Sequence, residues 1–506
     1  MSIKIKKTIQ KKLHKDYTLY LPTLSAVILG TAFLNTHFYI FGFIGLLPFI
    51  WFIFHLTKFS KQQIIRSIYW SGLVYGSIIF AWELQTSPSS WTALEGSLSI
   101  VTKILAWTLS AFIFSIGFWL LARYILRFRH QPRTILVTLP FVWALMELTR
   151  TYLFAIITYG PGSSISPNWN LGVLGLTLMP TPLAYISRFV GLLGSTIVVV
   201  LINIAMYFII VKRRYMVAAY ICTPLLLLSV IGYILFQPNT SNIFVSSIHL
   251  ESTDTLEAWD SIPLPEKNTD ILVAPEYSLI FNNKNYETFL KNSLGPQTTL
   301  ITSVATDGKP GQNELTLYET GGGFVNKQPK TFLIAGGEYM PYIFSGFFKA
   351  IKQEYLTKAF NDSQQIKKGS TPEQAVQLHK VKTGSLVCSG VLALSEYRRL
   401  TNEGAEVLTN SASLSLIANA SLYHVQEGYL TRFHSIANAR PFIHSSRSGE
   451  SYILDANGTE KAHATGNSQL LNAQVKASNR KTPYTILGEW TVLLGIIFTL
   501  VYIRRF

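Results

Sequence analysis

The chain has 506 residues, of which 49% are hydrophobic and only 14% charged, and several apolar runs reach bilayer-spanning length, so it reads as an integral membrane protein. Its net charge of +16 invites a nucleic-acid reading until the charge is located. From 238 to 484, 22 Lys and Arg are matched by 22 Asp and Glu, whereas the remainder holds 21 basic and 5 acidic residues. The excess belongs to the membrane portion, which argues against nucleic acid as a partner.

In chain order, apolar runs predict spans at about 17–34, 39–57, 68–86, 101–124, 134–153, 183–211 and 217–236, with an eighth at about 485–503. The first run lacks a small-residue cleavage site after a short apolar core and is expected to be a retained helix. Basic residues cluster in alternate loops: Lys4, Lys6, Lys7, Lys11, Lys12 and Lys15 before the first span, then Lys58, Lys61 and Arg66. Arg123, Arg127, Arg129 and Arg133 follow the fourth span, Lys212, Arg213 and Arg214 the sixth, and Arg504 and Arg505 the last. Short basic loops stay cytoplasmic, so both termini are expected inside and the 238–484 insert outside. This gives three parts: a bundle of about seven helices over 1–237, an extracytoplasmic domain over 238–484 and a closing span over 485–506.

Within the insert, IFVSSIHL (243–250), DILVAP (270–275), TTLITSVA (298–305), GSLVCSGV (384–391) and EVLTNSA (406–412) predict strands buried on both faces. Helices are expected at about 283–293, 343–359 and 423–438, and the alternation predicts a layered α/β domain. The polar stretch 360–382 is expected to be a long exposed loop or lid beside the strand carrying Cys388.

Only two cysteines occur. Cys222 lies in the apolar run YICTPLLL and Cys388 in the insert, so a disulfide between them is implausible and Cys388 is expected to be a free thiol. The bland reading is an inert, buried cysteine serving as a small hydrophobe. Against it stands the order of chemical groups: Glu276 closes DILVAPE, Lys330 precedes TFLIAGGEYMP, and Cys388 ends GSLVC. A thiol nucleophile needs a base to take its proton, and a tetrahedral intermediate needs positive charge or N–H donors at its oxygen. A carboxylate, an amine and a thiol at three strand ends supply these functions.

With their flanks, namely Pro275-Glu276, Lys330 followed eight residues later by Glu338 within GGEYMP, and Cys388 ending a strand, these residues resemble the nitrilase superfamily, and within it the apolipoprotein N-acyltransferases. The resemblance covers nearly the whole chain, and PFVWALMELTR (140–150) adds the family's pattern of Trp, then Glu147, then Arg150, which lie on one helical face and are suited to pair. It implies an α-β-β-α nitrilase-like domain joined to a polytopic helical bundle in a bacterial inner membrane. It further implies a two-step transfer: Cys388 takes an acyl chain from a phospholipid as a thioester, and the N-terminal amine of a diacylglyceryl-cysteine lipoprotein then receives it. Glu276 is the implied base, Lys330 the oxyanion partner, and Glu338 the group that orients Lys330 or assists proton transfer, with no cofactor or metal. A deep lipid-facing pocket with an aromatic-rich arm is implied for keeping water from the thioester.

The chain also departs from the family pattern. Ser389 and Gly390 stand where Tyr and Glu usually follow the cysteine, and TNSASLS (409–415) carries Ser411, Ser413 and Leu414 where the family has Asp, Trp and Phe. Two other readings therefore stand beside the acyltransferase: a catalytically silent membrane protein that binds lipids or lipoproteins, and a membrane amidase or acyltransferase with another acceptor. Elsewhere, His424, His434 and His444 recur every ten residues, which fits no metal-ligand spacing. Gly321, Gly322 and Gly323 are expected in a hairpin turn and Trp82, Trp91 and Trp169 in an interfacial aromatic belt, and the family resemblance implies that these Trp also frame the way in for an acyl chain.

Overall fold

The computed structural model describes residues 17–86, 96–251, 262–278, 294–306, 310–319 and 323–504. The N-terminal part is helical: α1 (Leu21–Thr31), α2 (Leu47–Ile53), α3 (Lys61–Ile79), α4 (Gly96–Arg127), α5 (Pro132–Ile157), α6 (Ser187–Ile210) and α7 (Tyr215–Leu235). Five helical runs are long and apolar enough to cross a membrane: Thr36–Ile53, Ser99–Arg127, Pro132–Ile157, Pro182–Ile210 and Tyr215–Leu235. Thr18–Thr31 and the C-terminal Trp490–Arg504 are apolar but shorter. Each expected span thus meets a helix, α3 being the most polar of them because Lys61 and Arg66 occupy its first turns. The basic residues before the first span and Arg505 lie outside the described residues.

Two six-stranded sheets follow. The first has the order β12-β1-β2-β3-β4-β5, with β1 (Asn242–His249), β2 (Ile271–Glu276) and β3 (Thr299–Ala305) parallel. Its remaining strands, β4 (Asn313–Glu319), β5 (Gly323–Pro329) and β12 (Gln469–Lys476), pair antiparallel. The second sheet has the order β11-β10-β9-β8-β7-β6. Here β7 (Lys382–Val387), β8 (Val407–Ser413) and β9 (Phe442–Arg447) are parallel. Antiparallel strands β6 (Val376–Gln377), β10 (Glu450–Leu454) and β11 (Glu460–Thr465) complete it.

Val245, Val273, Ile301 and Leu317 of the first sheet meet Val387, Val407, Ile443 and Ile453 of the second in one apolar layer. This explains why β2 (ILVAPE) reads as an apolar run: one face meets the other sheet, and the other face is covered too. Leu386, Leu408 and Phe442 turn the opposite way, onto Tyr397 and Leu400 of α10 (Leu394–Asn402). On the outer face of the first sheet, Leu272, Ala274 and Leu300 pack with Leu294, while the helix expected at about 283–293 lies outside the described residues.

Several sequence expectations are corrected. The strand expected over 384–391 ends at Val387, and Cys388–Leu392 form a 3-10 turn. The helix expected over 343–359 is two helices, α8 (Tyr342–Ala350) and α9 (Glu354–Ser363), broken where Lys352 takes a left-handed φ of 57°. The stretch 360–382 is no free loop: Phe360, Glu373, Val376, Leu378 and Val381 are buried, and it contributes β6.

The helix α11 (Ser421–Asn438) is wedged between the second sheet and the bundle, so almost its whole circumference is buried. Its Gln426 accepts from Gly172 N and donates to Ile79 O, at 2.9 and 3.0 Å. From the bundle side, Arg188 of α6 donates to the carbonyls of Ile436 and Ala456, at 3.0 and 2.8 Å. A kink in α6 at Gly191 (φ 73°) frees two N–H groups, those of Leu192 and Leu193, and the Glu489 carboxylate accepts both at 2.7 and 2.9 Å. Glu489 precedes α12 (Trp490–Arg504), so the last helix is tied to the kink.

Candidate active site

Four strand ends converge. Glu276 is the last residue of β2, Lys330 follows β5, Cys388 follows β7, and Ser413 ends β8. This is the carboxyl edge of the parallel strands, where open α/β sheets present their clefts. The local turns are sharp: Tyr277 and Cys388 both take left-handed backbone conformations, with φ of 55° and 44°. For residues with a Cβ this costs roughly 1–3 kcal/mol each, so the surroundings must enforce it. At Cys388 the Asn410 amide does so by donating to the carbonyls of Leu386 and Cys388, at 3.3 Å each, while Ser389 Oγ donates to Phe332 O at 2.8 Å.

Lys330 Nζ donates to Glu338 Oε1 at 2.7 Å and to Glu276 Oε1 at 3.3 Å, all three groups being buried. The remaining carboxylate oxygens are also used. Glu338 Oε2 accepts from Ile334 N at 2.9 Å, and Glu276 Oε2 from Ser413 N at 3.0 Å. Asn313 adds a 2.5 Å bond to Glu276 Oε1. Ser413 links the carboxylate to the thiol, because its carbonyl accepts from Cys388 Sγ at 3.7 Å. An ammonium has three protons, so two carboxylates leave one for a further acceptor.

Burial pushes the Cys388 thiol well above the ordinary cysteine range; the Glu276 charge adds to the rise and Lys330 opposes it. The resting sulfur therefore carries its proton at neutral pH. Burial alone would lower the Lys330 ammonium, but Glu276 and Glu338 outweigh it and hold that group well above its usual range. The Glu338 carboxyl is raised by burial against the pull of Lys330.

Cys388 is partly exposed, and what it meets is an apolar cavity of about 260 Å³. Leu392, Leu414 and Ile417 surround the thiol end, Phe344 and Phe348 of α8 form one wall, and Ala106, Leu109 and Ile113 of α4 form the bundle side. Trp82 and Trp169 line the cavity as well, Trp169 stacked on Phe154 at 6.0 Å and Trp82 edge-on to Tyr423 at 5.2 Å. Both therefore stand where residues framing an entry to the cavity would, while Trp91 lies outside the described residues.

The four candidate residues are thus brought together, although 112 positions separate Glu276 from Cys388 in the numbering. Sequence reasoning missed Asn313, the backbone of Ser413, and Glu373, which accepts from Thr331 N at 2.9 Å beside Lys330. None carries a sequence signal, since each acts through a contact between distant segments. The departure at Gly390 has a packing reason: a Cβ there would lie 2.5 Å from Leu386 Cβ.

Glu147 and Arg150 are both buried but do not pair with each other. Glu147 accepts from Leu174 N and Thr196 Oγ1 at 2.9 and 2.6 Å, and Arg150 donates to Leu171 O at 3.2 Å and stacks 3.9 Å from the Phe114 ring centroid. His434 Nε2 donates to Val391 O at 2.7 Å, bracing the turn that carries Cys388; burial lowers this imidazole to about 4, so it is neutral. His424 and His444 flank Glu427 at 3.8 and 4.0 Å, and among the described residues no group of three or more His, Cys, Asp or Glu is arranged to hold a metal. β4 and β5 form a hairpin, with Gly323 opening β5 and Gly321 and Gly322 outside the described residues.

Residues 25–205 match the family model of the apolipoprotein N-acyltransferase N-terminal domain. Two curated relatives are named apolipoprotein N-acyltransferase and are each 22% identical to this chain. That of Photobacterium profundum aligns with 66% of this chain and 69% of its own length, and that of Bdellovibrio bacteriovorus with 94% and 91%. The family resemblance drawn from the motifs is borne out by these matches. Similar solved structures include a carbon-nitrogen hydrolase from Helicobacter pylori G27, with 17% identity, 50% of this chain and 94% of that one covered, and a TM-score of 0.34. Another is Saccharomyces cerevisiae Nit3, a member of branch 10 of the nitrilase superfamily, with 14% identity, 49% and 93% coverage, and a TM-score of 0.34.

Proposed function

We propose that this chain is a phospholipid-dependent N-acyltransferase of lipoprotein maturation that works through a thioester on Cys388. The observation that carries the reading is the position of the thiol, between an apolar cavity shared with the helical bundle and a buried Glu276–Lys330–Glu338 cluster. A cavity of this character suits an acyl chain, and the cluster suits acid–base chemistry and charge stabilisation.

In the first step Cys388 Sγ attacks the ester carbonyl while its proton passes to Glu276. Lys330 donates its remaining proton contact to the developing oxyanion, with Glu338 holding the ammonium in place. Collapse breaks the ester C–O bond, Glu276 returns the proton to the departing alkoxide, and a lysophospholipid leaves. In the second step the free amine of the diacylglyceryl-cysteine attacks the thioester, Glu276 takes a proton from nitrogen, the C–S bond breaks, and Cys388 recovers its proton. The aromatic wall from α8 excludes water, which would otherwise hydrolyse the thioester. The basic loops support a topology with the two-sheet region (238–484) outside the cytoplasm, where exported lipoproteins are met, and with both termini inside.

Intact mass spectrometry of the purified chain after incubation with phospholipid vesicles tests this. An adduct of one acyl chain, removed by hydroxylamine and absent from Cys388→Ala, is expected. An unmodified protein that still binds the lipid would instead identify the catalytically silent reading favoured by Ser389 and Gly390.

A further inference from the structure

Three described carboxylates belong to the helical part and its closing helix: Glu83, Glu147 and Glu489. Two are fully used by the protein. Glu147 accepts from Leu174 N, Thr196 Oγ1 and Trp143 Nε1, and Glu489 from Leu192 N and Leu193 N. Glu83 differs. It sits on a 3-10 turn (Ala81–Gln85) after α3, its Oε1 accepts from Ser110 Oγ at 2.9 Å, and its Oε2 is shielded from solvent with no hydrogen-bond partner. Among the described residues Glu83 is also the one carboxylate lining the cavity that holds Cys388, and beside it the Trp82 indole N–H lacks a partner as well.

A carboxylate oxygen shielded from water without a partner is costly unless a ligand or charge meets it. Among the described residues no cation forms an ion pair with Glu83, Lys103 of the same cavity included. The terminal torsion of a glutamate is broad, so rotation brings the unused oxygen to a ligand in the cavity without moving the backbone. We propose that Glu83 is the amine-recognition residue of this cavity: its carboxylate receives the primary ammonium of an amphiphile whose hydrocarbon fills the apolar part. Such an ammonium has two sources, the head group of an aminophospholipid donor or the N-terminus of a lipidated acceptor. The inference rests on the lipid-handling reading above and adds to it the residue that selects for amine.

The test begins with binding, which requires no turnover. The full-length chain in detergent is expected to bind dodecylamine at pH 7 about tenfold or more tighter than dodecanol, the scale of one charge-assisted hydrogen bond. Glu83→Gln, which keeps an acceptor for Ser110, is expected to erase that preference while leaving thermal stability unchanged. Dodecyltrimethylammonium, which has no N–H to donate, should lose most of the advantage on the unaltered chain, so the answer does not depend on the variant folding. Equal affinity of the unaltered chain for dodecylamine and dodecanol, or an undiminished preference in Glu83→Gln, overturns the proposal.

Two kinetic arms separate the sources. Slower thioester formation by Glu83→Gln from phosphatidylethanolamine but not phosphatidylglycerol vesicles assigns the head group. Normal thioester formation with a raised KM for a diacylglyceryl-cysteine peptide assigns the acceptor. Absence of thioester from the unaltered chain with either lipid would reject the acyltransferase reading, and the dodecylamine comparison would still decide the role of Glu83.

Discussion

Replacing Lys330 by Met keeps the aliphatic stem and removes the charge that joins two buried carboxylates. At 2.7 Å from Glu338 and 3.3 Å from Glu276, gross attractions of about 6 and 5 kcal/mol follow at an effective dielectric near 20, most of which offsets desolvation. Removing one partner of such a buried pair costs about 3–5 kcal/mol, because the other charges are left uncompensated. The loss should depend on pH with a definite sign. Burial already raises the Glu338 carboxyl and Lys330 opposes that rise, so without Lys330 it climbs further above its unfolded value. A carboxyl raised in the folded state binds more protons there, so stability falls as pH rises through that range, and the deficit of Lys330→Met should be larger at pH 8 than at pH 5. Chemistry should fall as well: loss of an oxyanion donor is worth about 2.7–4 kcal/mol, or roughly a hundredfold or more in thioester formation. Thermal unfolding at the two pH values and acyl-enzyme formation by intact mass measure both effects. A variant that forms thioester at the normal rate and loses only stability would reduce Lys330 to an ion-pair strut and refute the oxyanion role.

Other outcomes follow from the same geometry. Cys388→Ala should abolish the acyl adduct with expression and membrane insertion near normal, and Cys222→Ala should leave adduct formation unchanged; an adduct persisting in Cys388→Ala would remove the thioester mechanism. Because burial and Glu276 push the Cys388 thiol up, iodoacetamide should label it slowly at pH 7 and faster above pH 9, and Glu276→Gln should accelerate labelling while slowing acyl transfer. Labelling slowed by Glu276→Gln would contradict that electrostatic account. Gly390→Ala places a Cβ 2.5 Å from Leu386 Cβ and should cost about 1–3 kcal/mol through overpacking, read as a lowered Tm. A reporter inserted near residue 300 should be active only if its activity requires export, and one fused after Phe506 only if it works in the cytoplasm; the reverse pattern would overturn the topology.

Much of the molecule was legible in the chain itself. A bilayer-length segment must be apolar along its whole length and that property is local, so five of the eight expected spans meet helical runs long and apolar enough to cross a membrane. β1, β2, β3, β7 and β8 were also legible, being largely buried on both faces and carrying apolar stretches such as IFV in β1 and ILVA in β2. Glu276, Lys330, Glu338 and Cys388 stood out because each occupies a strand end or a short motif. Strands such as β11 (EKAHAT) and β12 (QLLNAQVK) did not, since they are half-exposed and gain their order from antiparallel neighbours. Three further matters were decided by tertiary structure alone. Asn313 and Ser413 reach Glu276 only when β4 and β8 are folded against β2, Trp82 and Trp169 become cavity walls only when the bundle meets the sheets, and Glu147 and Arg150, adjacent on their helix, turn to loop backbone instead of each other. In each case the deciding contact joins segments far apart in the chain, and the energy of that contact, not the residue's own pattern, sets where the side chain goes.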